Sequence, residues 1–158
     1  MEIYLLRHGI AEPTARSDAE RDLTAEGRQK VREVMKAAAN GGLSPALILS
    51  SPYRRAVATA RIAAEVLVYK GDPGTTRALT PGSSILEAWE EIRIHRDQAS
   101  LLLVGHEPLF SALGAFLLGA PEMNIDFKKG AVLAIELASI GQRPRGTLKW
   151  MLTAKLAG

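Results

Sequence analysis

Ile3-Tyr4-Leu5-Leu6-Arg7-His8-Gly9 decides the fold. Its apolar run has the length of a strand buried on both faces, and it stops abruptly at a guanidinium, an imidazole and a glycine. A hydrophobic core gains little from Arg-His at its edge. An anion site gains a fixed cation and a nucleophile held at the end of a sheet.

Working outward, the same pattern recurs twice. Ala46-Leu47-Ile48-Leu49 runs directly into Ser50-Ser51-Pro52, where Ser51 is placed to cap a helix and Pro52 to occupy its first position. Tyr53, Ala56, Val57, Ala60, Ala64 and Leu67 would form that helix's apolar face, leaving Arg54 and Arg55 in the first turn, where exposed amides and the helix dipole favour an anion. Further on, Leu101-Leu102-Leu103-Val104 ends in Gly105-His106-Glu107-Pro108 and leads into an apolar helix through Leu117, stopped by Gly119 and Pro121.

The intervening segments read as scaffold. Residues 10–22 carry Pro13, mixed charges and no apolar period, so they form a surface loop from which Arg16 and Arg21 are free to reach a substrate. Asp18, Glu20 and Asp22 are read as solvated, because no buried strand precedes them and no histidine is near in sequence. Thr24 caps a helix with Val31, Val34, Met35 and Ala38 on its apolar stripe, ended by Asn40-Gly41-Gly42. Residues 69–81 hold a short strand among irregular connections. Ser83 or Ser84 then starts a helix with Ile85, Trp89 and Ile92 on one stripe, with His95 structural or exposed at its edge. Residues 131–137 and 147–153 read as two strands around the turn-rich Gly141 to Gly146.

Alternating short apolar strands and amphipathic helices predict an α/β fold, three layers α/β/α around a mainly parallel sheet, with ligands bound beyond the carboxyl ends of the strands. Three strands then bring Arg7 and His8, Arg54 and Arg55, and His106 to one edge. Guanidinium forks and helix amides together suit a tetrahedral dianion, and a neutral imidazole beside one is able to attack phosphorus and carry the phosphoryl group.

A chain of 158 residues, 47% hydrophobic and 23% charged, fits one domain spanning residues 1–158. The net charge of +3 is dispersed, and aromatics make up 5% with no basic stripe among them, which argues against nucleic acid. The absence of cysteine removes thiolate nucleophiles, thiolate metal sites and disulfides. No secretory pattern opens the chain, and Pro108 to Ala120 is too short for a membrane-spanning helix, so a cytoplasmic protein without membrane contact is expected.

Leu6-Arg7-His8-Gly9, Asp22-Leu23-Thr24-Ala25-Glu26-Gly27, Ser50-Ser51-Pro52 with Arg55-Ala56 and Thr59-Ala60, and Val104-Gly105-His106-Glu107-Pro108 together resemble the histidine phosphatase superfamily, in order from residue 3 to about residue 137. Within it they most resemble the short SixA-type branch, the phosphohistidine phosphatases. The resemblance implies a phosphoglycerate mutase-like fold, His8 as nucleophile, Arg7 and Arg55 on the phosphoryl oxygens, His106 as a further donor, and neither metal nor cofactor. Gly9, Arg21 and Glu107 are the substrate-contacting candidates beside them. His8 needs a neutral attacking nitrogen, with its other nitrogen donating to a backbone carbonyl, whereas His106 is more useful protonated, which its arginine neighbours make harder unless phosphate is bound.

Departures from the family narrow the substrate. The mutases follow Arg-His-Gly with a polar run containing an asparagine phosphate ligand, and here the chain reads Ile10-Ala11-Glu12-Pro13 in a much shorter protein. Mutase activity is not expected. Ester-cleaving branches need a carboxylic acid to protonate the leaving oxygen, for which Glu12, Glu87, Glu90, Glu91 and above all Glu107 are candidates. A phosphoramidate leaves without one, because its nitrogen is protonated beforehand. The expected substrate is thus a phosphohistidine-bearing protein, a phosphotransfer domain or a phosphocarrier, with phosphate or sulfate binding in the same pocket. A phosphomonoesterase for a small metabolite and a non-catalytic phosphate-binding module are the alternatives.

Overall fold

Strand β1 (Glu2–Arg7) runs through the middle of a six-stranded sheet in the computed structural model, which describes residues Met1–Gly158. Its unbroken apolar sequence has a simple cause: both faces are covered. Ile3 and Leu5 point into a core with Leu101, Leu103, Trp89 and Phe110, while Tyr4 and Leu6 point into a second core with Leu102, Val104, Val34 and Met35.

The sheet order is β3 (Gly74–Thr75), β2 (Leu47–Ser50), β4 (Ser100–Gly105), β1, β5 (Val132–Ile140), β6 (Pro144–Leu152). The first four strands in that order are mutually parallel, and β5 and β6 add an antiparallel hairpin beside β1. Helices α3 (Ile85–Ile94) and α4 (Leu109–Leu117) cover the first face. Helices α1 (Ala25–Asn40) and α2 (Arg54–Val66), with the short α5 (Ala154–Ala157), cover the second. The layering is therefore α/β/α, as the alternation of elements predicts. No helix is long and apolar enough to cross a membrane.

Local signals place most element starts. Thr24 Oγ1 accepts from the Gly27 amide at 2.9 Å, and Ser84 Oγ from the Glu87 amide at 3.1 Å. Helix α2 differs from the reading above. It begins at Arg54 with Tyr53 as its cap residue, and its buried face is Arg55, Ala56, Thr59, Ala60, Ile62 and Ala63, leaving Val57 and Ala64 half-buried. The helix is turned so that Arg55 and Thr59 face inward, where both bond to groups at the β1 end. The hairpin is also longer than predicted, with its strands paired out to Ile140 and Pro144, and Thr153 caps α5 instead of extending β6.

Close approach fixes the segment after β1. A Cβ on Gly9 would meet Val31 Cγ2 at 2.8 Å and the Gly27 carbonyl at 3.1 Å, and one on Gly27 would collide with the Ile10 backbone. The two glycines let the chain leaving β1 lie directly on the first turn of α1.

Candidate active site

Register sets the geometry of the sheet edge. Arg7 pairs with Gly105 and Ser50 with Val104, so the residues just past three adjacent strands, His8, His106 and Ser51, emerge side by side. The amide of His8 donates to the Gly105 carbonyl and that of Ser51 to the Val104 carbonyl, both at 2.9 Å.

His8 is 6% exposed. Its Nδ1 lies 2.7 Å from the Gly9 carbonyl, which only accepts, so Nδ1 carries the proton. Nε2 keeps its lone pair and accepts from Arg55 Nε at 3.3 Å. Burial pushes His8 down to about 4, helped by the charges of Arg55, Arg7 and Lys129 and opposed by the Gly9 bond. At neutral pH this ring is uncharged.

Arg55 is 5% exposed and uses three of its five N–H donors within the protein. Besides His8, it donates from Nη1 to the Asp18 carbonyl at 2.7 Å and from Nη2 to the Asp18 carboxylate at 3.1 Å, and its guanidinium lies 5.2 Å from the centre of the Tyr53 ring. Arg7 donates from Nη1 to the Phe127 carbonyl at 2.7 Å, while its buried Nε has no partner. Burial works against the Arg7 charge, and the Glu107 carboxylate partly restores it.

His106 stands with its ring centroid 5.1 Å from that of His8 and 5.2 Å from that of Tyr53. Its Nε2 is 2.8 Å from Ser51 Oγ, and its buried Nδ1 has no partner. Burial, then any proton on His8 and the charges of Arg55 and Arg7, push it down to about 3, with Asp18 opposing. As the sequence reading expects, the arginine neighbours make protonation harder; burial adds to their effect and keeps the ring neutral. Thr59 ties the parts together, since its hydroxyl donates to the Arg55 carbonyl at 2.7 Å and accepts from the Gly9 amide at 3.1 Å.

The remaining candidates divide. Arg21 reaches the site only through others, donating to the Glu12 carbonyl at 2.7 Å and to the Asp18 carboxylate at 2.9 Å. Glu107 turns its carboxylate to the Ser111 amide in the first turn of α4, at 2.6 Å. Glu90 pairs with Arg93 and Glu91 with His95, while Glu12 and Glu87 are exposed. Arg54 pairs with Asp22, which also holds Arg28. Asp18, read as part of a solvated loop, does keep its side chain 57% exposed, yet it also bridges Arg55 and Arg21, and those pairings hold its carboxyl below its ordinary value.

Ser51, Tyr53, Thr59, Asp18 and Lys129 are the neighbours that the sequence did not single out for chemistry. Only Ser51 and Thr59 carried a signal, as members of the Ser50-Ser51-Pro52 and Thr59-Ala60 pieces. Lys129 follows Phe127, whose carbonyl holds Arg7, and precedes Gly130, whose amide donates to the carbonyls of Arg7 and His8 at 3.1 Å, so the 127–130 turn brings it to β1 by tertiary contact alone.

Together these residues form a neutral imidazole with a directed lone pair, two guanidinium groups, and buried Arg7 Nε and His106 Nδ1 unpaired within the protein. Such a set suits a tetrahedral dianion attacked in line from one side.

Comparison with known proteins agrees with this chemistry. Residues 3–76 match the family model of the histidine phosphatase superfamily (branch 1). Over 146 residues the chain is 34% identical to an uncharacterized protein of Picosynechococcus sp., covering 85% of this chain and 84% of that one. Over 155 residues it is 27% identical to the phosphohistidine phosphatase SixA of Escherichia coli, covering 97% and 94%. A solved structure of the protein histidine phosphatase SixA complexed with tungstate superposes with a TM-score of 0.89 at 26% identity, covering 98% of each chain.

Proposed function

Because the chain belongs to the histidine phosphatase superfamily, in its SixA-type branch, we propose that this phosphatase removes the phosphoryl group from phosphohistidine on a protein, through a covalent intermediate on His8. One observation carries the reading: the His8 Nε2 lone pair is held neutral beside Arg55 while Nδ1 is pinned to the Gly9 carbonyl.

In the first step Arg55 Nε turns from His8 Nε2 to a phosphoryl oxygen, and the freed Nε2 lone pair attacks phosphorus as the substrate's P–N bond breaks. The electron pair leaves with the substrate imidazole, which departs neutral because its other ring nitrogen already carries a proton. Arg7, Arg55 and His106 hold the phosphoryl oxygens, spreading the charge that develops on them. The Nδ1–H to Gly9 bond strengthens as His8 gains positive charge. In the second step water attacks phosphorus, the P–Nε2 bond breaks, and its electron pair returns to His8. The water's proton goes to phosphate or solvent.

One feature favours the phosphoramidate over an ester. The Glu107, Glu90 and Glu91 carboxylates are engaged with Ser111, Arg93 and His95, so none of them is placed as the acid an alkoxide leaving group needs. The tungstate bound by the SixA relative is a tetrahedral oxyanion, which supports phosphate or sulfate binding in this pocket. A single domain of residues 1–158 serving a phosphotransfer domain or phosphocarrier completes the proposal.

The test compares hydrolysis of a phosphohistidine-bearing protein with that of an aryl phosphate ester, for the wild type and His8→Ala in metal-free buffer. Faster loss from phosphohistidine, abolished in His8→Ala, is expected. Preference for the ester would overturn the substrate assignment, and unchanged turnover in His8→Ala would overturn the nucleophile.

A further inference from the structure

We propose that Ser51 is a positioning residue that holds His106 in the tautomer protonated on Nδ1, so that His106 serves the transferring phosphoryl group as an uncharged hydrogen-bond donor. The role assigned to His106 rests on the phosphatase reading above. The tautomer itself rests on hydrogen-bond accounting at one buried hydroxyl.

Ser51 is completely buried. Its Oγ accepts from the Tyr53 amide at 3.2 Å and lies 2.8 Å from His106 Nε2. A hydroxyl has one hydrogen to give, and within the protein the only acceptor in reach of this one is His106 Nε2. If Nε2 carried the proton and donated to Ser51, the serine hydrogen would be stranded in the interior and the Nδ1 lone pair would be unmet as well. With the serine donating, only Nδ1–H is left unpaired in the protein, on the ring that stands beside His8. Buried polar groups are rarely left unpaired, so the second arrangement is favoured.

The surroundings act in the same direction. His106 meets His8 and Arg7 from the end of β1, Arg55 and Tyr53 from the start of α2, and Asp18 from the loop before α1. The cations disfavour a second proton on the ring, and protonation at Nε2 would also require the Ser51 hydroxyl to turn away from its acceptor. A neutral donor suits a site already rich in guanidinium, since phosphate release is not slowed by a third fixed charge.

The chain has only three histidines, so the experiment is direct. Long-range nitrogen–proton spectra of the uniformly nitrogen-15-labelled wild type, in phosphate-free buffer near neutrality, are assigned with His95→Gln and His106→Gln. His106 is expected to show a pyrrole-type Nδ1 and a pyridine-type Nε2. A protonated Nε2, alone or with Nδ1, would overturn the proposal. In Ser51→Ala the tautomer preference is expected to be lost, with kcat lowered about tenfold, the loss of one hydrogen bond to a charged group. Ser51→Thr, which keeps the hydroxyl, is expected to retain the wild-type tautomer. An unaltered tautomer in folded Ser51→Ala would refute the role of the serine. The wild-type spectrum stands independently of any turnover assay, so failure of the phosphohistidine assignment is told apart from failure of this one.

Discussion

At His8 one ring is pulled in two directions, with burial and cations disfavouring a proton while the Gly9 carbonyl favours one on Nδ1. The result at about 4 lies well below the ordinary histidine value near 6.5. The proposed nucleophile is therefore uncharged across neutral and mildly acid conditions. For an aryl phosphate ester, kcat/KM should show no acid limb from His8 between neutrality and about pH 5. A limb centred near the ordinary histidine value would show that the ring is not desolvated in solution. The residue scale is also where sequence reading stopped short. Arg7, His8 and His106 were legible because apolar strands rarely end in such groups, Arg55 was told from Arg54 only by the Arg-Ala spacing that resembles the family, and the structure brings all four together. The pairings of Ser51 with His106 and of Asp18 with Arg55 were not legible, since a buried serine bonded to a histidine and an exposed acid bonded to a buried arginine are decided by partners that are distant in sequence.

The loop between β1 and α1 shows how an element with no apolar period acquires a defined place. Asp18 sits in a short 3-10 helix, Asp18–Glu20, and bridges Arg55 and Arg21. A dianion entering the site shares Arg55 with that carboxylate and is repelled by it. Asp18→Asn is expected to tighten inhibition by inorganic phosphate about fivefold at low salt, a modest effect because the Asp18 side chain is 57% exposed, and less as salt is added. Weaker inhibition would mean that Asp18 mainly orients Arg55. The contact between this loop and α1 is stricter. A methyl group at Gly27 has only the Ile10 backbone to displace, so Gly27→Ala should cost about 3 kcal/mol, read as a lower urea midpoint at constant m. Thr24 as the cap of α1 was legible from composition, but the need for glycine three residues later came from packing. Helix α2 was misphased for a related reason: the periodicity of its apolar residues was read without knowing that Arg55 and Thr59 are drawn inward by β1.

For the whole molecule, placing two neutral histidines in the interior makes folding sensitive to pH. The folded pKa values of about 4 for His8 and about 3 for His106 lie below the unfolded value near 6.5, so over this interval the unfolded chain binds more protons than the native one. Stability therefore rises with pH across the interval. Their contribution is complete above the unfolded value and is lost as pH falls, levelling off only below the folded values. At about pH 5 each ring should cost about 2 kcal/mol relative to neutrality, near 4 kcal/mol together. Asp18 changes this little, because its depressed carboxyl titrates below the window and is largely exposed. Urea denaturation at the two pH values measures the difference directly. His106→Gln removes one of the two titrating rings, so about half of the pH dependence should disappear even if the variant is less stable at neutrality. An undiminished dependence in that variant would place the buried protonation penalty elsewhere, whereas a halved one would tie the neutral state of His8 and His106 to their burial at the sheet edge.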